Sequence, residues 1–283
     1  MNKLTSKNGA LLYRFDSVAQ ITEYVLPEVS ERFFNGRDVH RFIGRELSDW
    51  EQTQLATKQL WQEGIDILLA SVERLKKEAI PEIKSRQRKT QFNDGGQGEE
   101  FDYERFMAGE CAWRSSVREE THGTNEVTII TDTTTEYRRH SEDILWRGAV
   151  AIALTSILEQ KGYRVELWVV NGTRLFVGES TPVCTACCLK KTSDPLDTST
   201  LVNTVSGWFY RTATFSLLES ICKREGKRAH HSLGMCYIPK PAELDLISVD
   251  ANRIYSSGAY SFNGAINQVL AELEQFKPKD KTQ

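Results

Sequence analysis

Asp132, Thr134 and Glu136 alternate in the segment VTIITDTTTEY, which begins as an apolar run at Val127 and continues in polar residues. Carboxylate and hydroxyl oxygens are the ligands that Mg²⁺ and Mn²⁺ prefer. In a loop that leaves a strand, Asp132 and Thr134 can turn toward one point. The segment therefore predicts either an oxygen-rich metal site or a polar turn that caps the next helix. The turn is the commoner structure for this spacing.

The elements around this segment alternate between strands and helices. Apolar runs predict strands in VTIIT, YRVELWVVN, TPVCTACCLKK, SLGMCYIP and LDLISVD. Helical spacing of apolar residues predicts helices over residues 141–161, 198–225 and 261–276. The alternation predicts an α/β fold, a Rossmann-like mixed sheet with helices on both faces. In such a sheet the ligand site lies at the carboxyl ends of the strands, where Asp132 is placed.

The N-terminal part has a different pattern. Residues 17–79 contain three helical stretches, and the longest has apolar residues at helical spacing from Trp50 to Leu75. Basic residues and glycines follow in KSRQRKTQFNDGGQGEE, which predicts an exposed loop. We therefore predict an N-terminal helical region over residues 1–90, a linker with a short helix over 91–124, and an α/β domain over 125–277.

Composition limits the classes of function. The chain has 283 residues, 40% of them hydrophobic and 27% charged, with a net charge of −3, so it is not a polycation that coats nucleic acid. Its apolar runs are too short for a membrane span, and its N-terminus lacks the pattern of a signal peptide. We expect a cytoplasmic protein with reduced cysteines and no membrane partner, located in the host cytoplasm if a phage encodes it.

The order of elements over residues 125–275 resembles the von Willebrand factor A domain. It consists of a strand ending at Asp132, a helix, a strand over 163–170, an antiparallel strand over 182–190 and a helix from Thr198. That family carries a metal-ion-dependent adhesion site with the motif Asp-x-Ser-x-Ser, completed by a distal threonine and aspartate. The resemblance implies an Mg²⁺ or Mn²⁺ site made of Asp132, Thr134, Glu136 and Thr198.

This predicted site is degenerate. Glu136 stands where the motif has its second serine, and no aspartate ends the segment SLGMCYIP. The segment RGAVAIALTSILEQKGYRVELWVV is also similar to uncharacterised bacterial and phage proteins of this type.

The resemblance implies a non-enzymatic protein-interaction or adaptor module that holds a partner protein at the Asp132 edge, with or without a bridging Mg²⁺. By analogy with the family, the partner would be an ATPase or another assembly component. The residues alone also leave open a metal-dependent hydrolase at Asp132 and Glu136. The sequence has no P-loop, Gly-x-Ser-x-Gly or His-Glu-x-x-His motif, so it does not decide whether the protein is an enzyme and favours that it is not.

Two basic clusters predict an alternative function, single-stranded nucleic-acid binding by an accessory factor of phage-type replication or transcription. Basic residues contact phosphates, and aromatic rings stack on bases. Basic residues near helix ends also complement the helix dipole, which is a structural explanation of the same pattern. The candidate residues are Lys84, Arg86, Arg88, Lys89, Phe92, Lys223, Arg224, Lys227 and Arg228.

Cysteines and histidines in the C-terminal half have the ligand types of a zinc site. They are Cys184, Cys187, Cys188, Cys222, His230, His231 and Cys236. The alternation in PVCTACCLK predicts instead a buried strand in which cysteine acts as a small apolar residue, without the tight turn of a zinc knuckle. The pattern therefore argues against zinc.

Overall fold

The computed structural model describes residues 1–30, 43, 45, 47–79, 90–93, 100–101, 103–116, 126–136, 139–174, 181–227, 237–248, 252–257 and 259–276. The chain forms two compact units. The larger unit contains Met1–Pro81 and Asn125–Gln283, and the smaller unit contains Glu82–Thr124. Among the described residues, no helix is both long enough and apolar enough to cross a membrane.

The strands, in chain order, are β1 (Asn2–Thr5), β2 (Leu11–Phe15), β3 (Thr90–Asn93), β4 (Glu100–Phe101), β5 (Trp113–Ser116), β6 (Glu126–Asp132), β7 (Arg164–Arg174), β8 (Pro182–Lys190) and β9 (Arg253–Ser256). The larger unit has a six-stranded sheet in the order β1-β2-β8-β7-β6-β9. β6 pairs in parallel with both β7 and β9, whereas β8 is antiparallel to β7 and parallel to β2. The sheet is therefore mixed, and β6 lies between two parallel neighbours.

The helices are α1 (Val18–Tyr24), α2 (Pro27–Ser30), α3 (Trp50–Lys58), α4 (Gln62–Ala79), α5 (Tyr103–Met107), α6 (Ser141–Gln160), α7 (Thr198–Thr204), α8 (Gly207–Phe209), α9 (Phe215–Arg224), α10 (Pro241–Leu244) and α11 (Phe262–Glu274). A π-helical segment (Tyr210–Thr214) joins α8 to α9.

The two faces of the larger sheet are covered differently. On one face, Tyr13, Val169 and Cys187 pack with residues of α1, α3, α6, α8 and α9. On the other face, Ile130 and Trp168 pack with residues of 237–248, a segment whose one helix is α10. The predicted mixed α/β sheet is confirmed, but in the described part of the chain the longer helices that pack on the sheet lie on one face. On the second face, the helix among the described residues is the four-residue α10.

The N-terminal residues correct the predicted helical region over 1–90. β1 and β2 form an antiparallel pair, and β2 pairs in parallel with β8, so the N-terminus adds two strands to the sheet. Residues 1–81 consequently belong to the same compact unit as residues 125–283. A five-residue strand such as LLYRF is too short for its periodicity to distinguish a strand from a helical turn.

Two further elements differ from their prediction. The helix predicted over 198–225 is interrupted because the Ser206 hydroxyl accepts a hydrogen bond from Phe209 N–H at 3.3 Å and starts a new helix. The segment LDLISVD is not a strand in its described part. Its first residue, Leu244, ends α10, and a turn follows. The last strand of the sheet is β9 instead. Most of SLGMCYIP lies outside the described residues.

The smaller unit contains a three-stranded antiparallel sheet in the order β3-β5-β4 and the short helix α5. The predicted linker over 91–124 therefore has a small sheet in addition to the predicted short helix. The strands have two to four residues each, which is too few to show a clear alternation in sequence.

Candidate functional site

Asp132 ends β6, a strand paired on both sides, and lies buried in the larger unit. It pairs with Val170 of β7, and the backbone continues with a hydrogen bond from Thr133 N–H to Val170 O at 3.1 Å. The Asp132 residue is only 1% exposed. A carboxylate at this depth requires hydrogen-bond donors or a cation nearby, because its desolvation is otherwise very costly.

Both carboxylate oxygens of Asp132 have donors. Oδ1 accepts the backbone N–H of Thr134 at 2.8 Å, and Oδ2 accepts the Tyr255 hydroxyl at 3.0 Å. Burial raises the pKa of Asp132 above that of an ordinary aspartate, while the nearby Arg147 opposes the shift. Burial and the neighbouring Asp132 likewise raise the pKa of Tyr255. The last residue of the strand thus accepts the hydrogen bond of a local turn.

Arg147 of α6 supplies the positive charge beside Asp132. One guanidinium nitrogen, Nη1, lies 4.0 Å from Asp132 Oδ1 and donates to the backbone oxygens of Asp132 and Thr134, each at 2.6 Å. The other, Nη2, donates to the Tyr260 hydroxyl, and the guanidinium lies 4.3 Å from the centre of the Tyr260 ring. The Arg147 residue is 3% exposed. The buried guanidinium of Arg147 therefore supplies a positive charge beside the Asp132 carboxylate.

One backbone N–H and two side chains also hold the polar loop that begins at Asp132, whose described residues are 132–136 and 139. Gly172 N–H donates to the Thr134 hydroxyl at 2.8 Å. The Tyr210 hydroxyl donates to Thr135 O at 3.4 Å. Arg211, also in the π-helical segment, donates to Glu136 O at 3.4 Å and to Arg139 O at 2.6 Å. Together, Arg147, Tyr210 and Arg211 donate to five carbonyls of this loop, those of residues 132, 134, 135, 136 and 139.

The predicted metal ligands do not form one site. Asp132 and Thr134 lie together, but each already has a hydrogen-bond donor, and Arg147 stands where a cation would be needed. Glu136 is exposed. The Thr135 hydroxyl is buried without a hydrogen-bond partner among the described residues, yet one neutral oxygen adds no charge to hold a divalent ion. The arrangement does not fit Mg²⁺ or Mn²⁺.

Thr198 belongs to another part of the larger unit. It starts α7, which follows the carboxyl end of the antiparallel strand β8, and nearby Thr200 lines a cleft with Lys190. The other end of α7 lies near α6, since Val205, which follows α7, is close to Gly148. Thr198 is separated from this contact by the length of the seven-residue helix, roughly 10 Å. Among the described residues, no group of three or more His, Cys, Asp or Glu side chains could hold a metal ion.

The cysteines of β8 behave as the alternation predicts. Cys184, Cys187 and Cys188 are buried in the strand, and burial raises the pKa of each thiol, in the case of Cys188 to about 11. Cys222 is buried in α9. His230, His231 and Cys236 lie outside the described residues. The described cysteines of this set are therefore part of the packed core.

The predicted nucleic-acid residues are described only in part. Lys84, Arg86, Arg88, Lys89 and Arg228 lie outside the described residues, and Phe92 lies in β3. Lys223 pairs with Glu28 at 2.7 Å. Arg224 donates to Tyr24 O at 3.3 Å, and its guanidinium lies 4.5 Å from the Tyr24 ring centre. Lys227 is exposed. Nucleic-acid binding stays a prediction that salt-dependent binding of a labelled single-stranded oligonucleotide would test.

Sequence reasoning missed the residues that hold the loop. Arg147 had a signal, because it is a lone charge in the otherwise apolar stretch ILWRGAVAIAL, and a charge at such a position needs a buried partner. Tyr255, Tyr260 and Arg211 carry no comparable signal. They meet Asp132 and its loop through contacts between residues that are far apart in sequence.

The comparisons with known proteins give a family without a known function. One family model, described as "Domain of unknown function (DUF7192)", matches residues 4–274. No curated protein and no solved structure matches the chain. The match begins within β1 and ends with α11, so it includes residues of all six strands of the larger sheet. The chain belongs to the DUF7192 family.

Proposed function

We propose that the protein is a non-enzymatic interaction module that holds a partner protein at the sheet edge where β6 ends. The observation that carries this proposal is the clamped loop after Asp132. Arg147 binds two of its backbone carbonyls, Tyr210 one and Arg211 two. A loop whose carbonyls accept hydrogen bonds from buried side chains is preorganised, and preorganisation lowers the entropic cost of binding.

The tip of this loop presents charge to solvent. Glu136 and Arg139 are exposed, while the preceding residues from Asp132 to Thr135 are buried. Arg139 also stacks on Tyr260, with its guanidinium 4.4 Å from the ring centre. Exposed charges at the rim of an interface mainly set specificity and the rate of association. We infer that the partner contacts Glu136 and Arg139, and that Asp132 acts only by holding the loop.

The strand arrangement supports a von Willebrand A-like version of this module. The resemblance implies an antiparallel strand over 182–190, and β8 pairs antiparallel with β7. By the same analogy, the partner we propose is an ATPase or another assembly component. The proposal needs no Mg²⁺ bridge, since Arg147 already supplies the positive charge beside Asp132.

Photo-crosslinking tests this proposal for a partner of any identity. A photoreactive benzoyl-phenylalanine would replace Glu136 in the full chain, expressed in its native cells. The matched control would carry the same group at Glu274, an acidic residue at the end of α11. We expect one protein to be cross-linked from position 136 and not from position 274. No cross-link from position 136, or the same protein from both positions, would reject the proposal.

A further inference from the structure

A second feature of the larger unit is a cleft of about 330 Å³ at the carboxyl ends of β2 and β8. We call it the β8 cleft. Carboxyl ends of parallel strands are the usual place for ligand sites in α/β sheets. Its lining comes from the start of α1, the end of α3, the end of β8 and the start of α7. The charged lining residues are Asp16, Lys58, Lys190, Lys191 and Asp194.

The floor of the β8 cleft is fixed by Lys190. Its side chain is 2% exposed, and its ammonium binds Glu159 Oε1 at 2.8 Å, Val165 O at 2.9 Å and Lys191 O at 3.1 Å. These three acceptors use all three of its protons, so Lys190 holds the turn after β8 and does not serve a ligand. Cys188 also lines the cleft, and burial raises the pKa of its thiol to about 11, which keeps it protonated near pH 7.

The rim carries charges of both signs. Lys58 and Lys191 are cationic, and Asp16 and Asp194 are anionic, and all four are exposed. In the described part of the chain, none of these four side chains forms an ion pair, although all of them line one cleft. Because these side chains do not pair with each other, both the lysines and the aspartates of the rim can contact a ligand.

The walls of the β8 cleft add polar oxygens and apolar carbon. The Thr22 hydroxyl donates to Ala19 O at 2.9 Å, and the Thr57 hydroxyl donates to Gln54 O at 2.7 Å. Each hydroxyl oxygen therefore keeps lone pairs that can accept a hydrogen bond. Val18, Ala19 and Leu189 supply the apolar part of the lining.

We propose that the β8 cleft binds a small zwitterion, a free amino acid or a dipeptide. The ligand carboxylate would face Lys58 and Lys191, and its ammonium would face Asp16 and Asp194. The cleft volume is near the lower end of the range for ligand pockets, roughly 300–1,000 Å³, which suits a ligand of this size. This inference does not depend on the partner-binding proposal, because it concerns different residues.

Calorimetric titration of the full chain tests the inference. The probes are free amino acids and alanyl-alanine, with propionate and propylamine as fragments that carry one charge each. We expect at least one zwitterion to bind saturably, and both fragments to bind at least about tenfold more weakly, a loss of about 1.4 kcal/mol. Lys58→Gln and Asp16→Asn should each weaken zwitterion binding about tenfold. Lys7→Gln, at an exposed lysine outside the cleft lining, should leave it unchanged.

Three results would overturn the inference. One is the absence of saturable binding at about 10 mM of every zwitterion, a concentration that would saturate a site with a Kd of about 1 mM. The second is propionate binding as tightly as the zwitterion, which would indicate a site for single anions. The third is an equal loss of binding in Lys7→Gln and Lys58→Gln, which would place the effect in general surface charge.

Discussion

At the scale of single residues, Asp132 and Arg147 form a buried pair whose charges are compensated by hydrogen bonds. The side chains are 2% and 4% exposed, and their charged atoms approach to 4.0 Å. Arg147 also binds two backbone carbonyls of the loop. Removing one member of a buried pair is far more damaging than removing an exposed pair, because the remaining charge stays buried.

Replacement of Arg147 by methionine should therefore lower the free energy of unfolding by about 3–5 kcal/mol. Urea denaturation would measure the change. Arg164→Met is the matched control, since Arg164 pairs with Glu126 at the surface with its side chain 58% exposed, and it should cost at most about 1 kcal/mol. The double variant Arg147→Met with Asp132→Asn should recover part of the loss. An equal effect of the two single variants would contradict the role of Arg147.

The raised pKa of Asp132 predicts a pH dependence of stability. A folded-state pKa above the unfolded value means that the folded protein binds this proton more tightly. The resulting stability is present at low pH and is lost as pH rises above about 4, the ordinary aspartate value. Asp132→Asn removes this titration. The unfolding free energy of the wild type minus that of Asp132→Asn should thus fall as pH rises from about 4 through the folded-state pKa of Asp132, by at most about 1.4 kcal/mol per pH unit.

Urea denaturation of both proteins at several pH values would measure this difference. Subtracting the variant removes the contribution of the other carboxylates, such as Glu225, whose pKa is lowered by hydrogen bonds from Lys3 and Tyr13. A difference that stays constant or rises with pH would show that Asp132 is not held as described.

At the scale of elements, close packing of α6 against Val205 and the start of α8 positions the loop. Gly148 of α6 lies against Val205, and a Cβ added at Gly148 would lie 2.2 Å from Val205 Cγ2. Gly207 of α8 also lies close to Ser141, where an added Cβ would be 2.6 Å from the Ser141 Cβ. The start of α6, which follows the polar loop, is therefore fixed by contacts that only glycine permits.

Gly148→Ala should reduce stability by about 1–3 kcal/mol, because the added methyl group overpacks the contact with Val205. Gly264→Ala in α11 is the matched control, since its nearest neighbour would be Ser261 Oγ at 3.5 Å, an ordinary contact. Alanine favours a helix over glycine, so this control should gain up to about 1 kcal/mol. Thermal unfolding of both variants would measure the shifts, and a stabilised Gly148→Ala would contradict the described packing.

The elements differ in how well the sequence predicts them. β6, β7, β8, α6 and α11 have long apolar patterns, which predict them near their observed positions. β1, β2 and β9 have four or five residues, and their place is set by pairing with distant strands, which local periodicity does not record. The site also divides into a part that the sequence predicts and a part that it does not. The sequence places Asp132 at a strand end, but its contacts with Tyr255 and Arg147 depend on how the sheet and α6 pack.

At the scale of the whole molecule, the chain consists of two compact units, of which the smaller interrupts the larger. The larger unit contains Met1–Pro81 and Asn125–Gln283 and has its own sheet and cores. An insertion between two parts of a folded unit mainly adds loop-closure entropy, which grows slowly with length. The larger unit should therefore fold without the smaller one.

A variant in which residues 82–124 are replaced by about 15 Gly and Ser residues should remain folded and unfold cooperatively. Such a linker has a root-mean-square span of roughly 20 Å. Circular dichroism melts of the variant and the full chain would compare the two transitions, which we expect to be similar in sharpness. A broad transition, or loss of the helical signal at low temperature, would show that the larger unit requires residues 82–124.

The most direct test of the central claim is the affinity of the cross-linked partner for three versions of the full chain, each measured with Mg²⁺ and with a chelator. Wild type, Glu136→Lys and the control Glu274→Lys would be compared. We expect Glu136→Lys to weaken binding at least about tenfold, or about 1.4 kcal/mol, while Glu274→Lys and chelation leave it unchanged. Unchanged affinity in Glu136→Lys would contradict the proposed edge. Loss of binding on chelation would contradict the role of Arg147 as the cation beside Asp132.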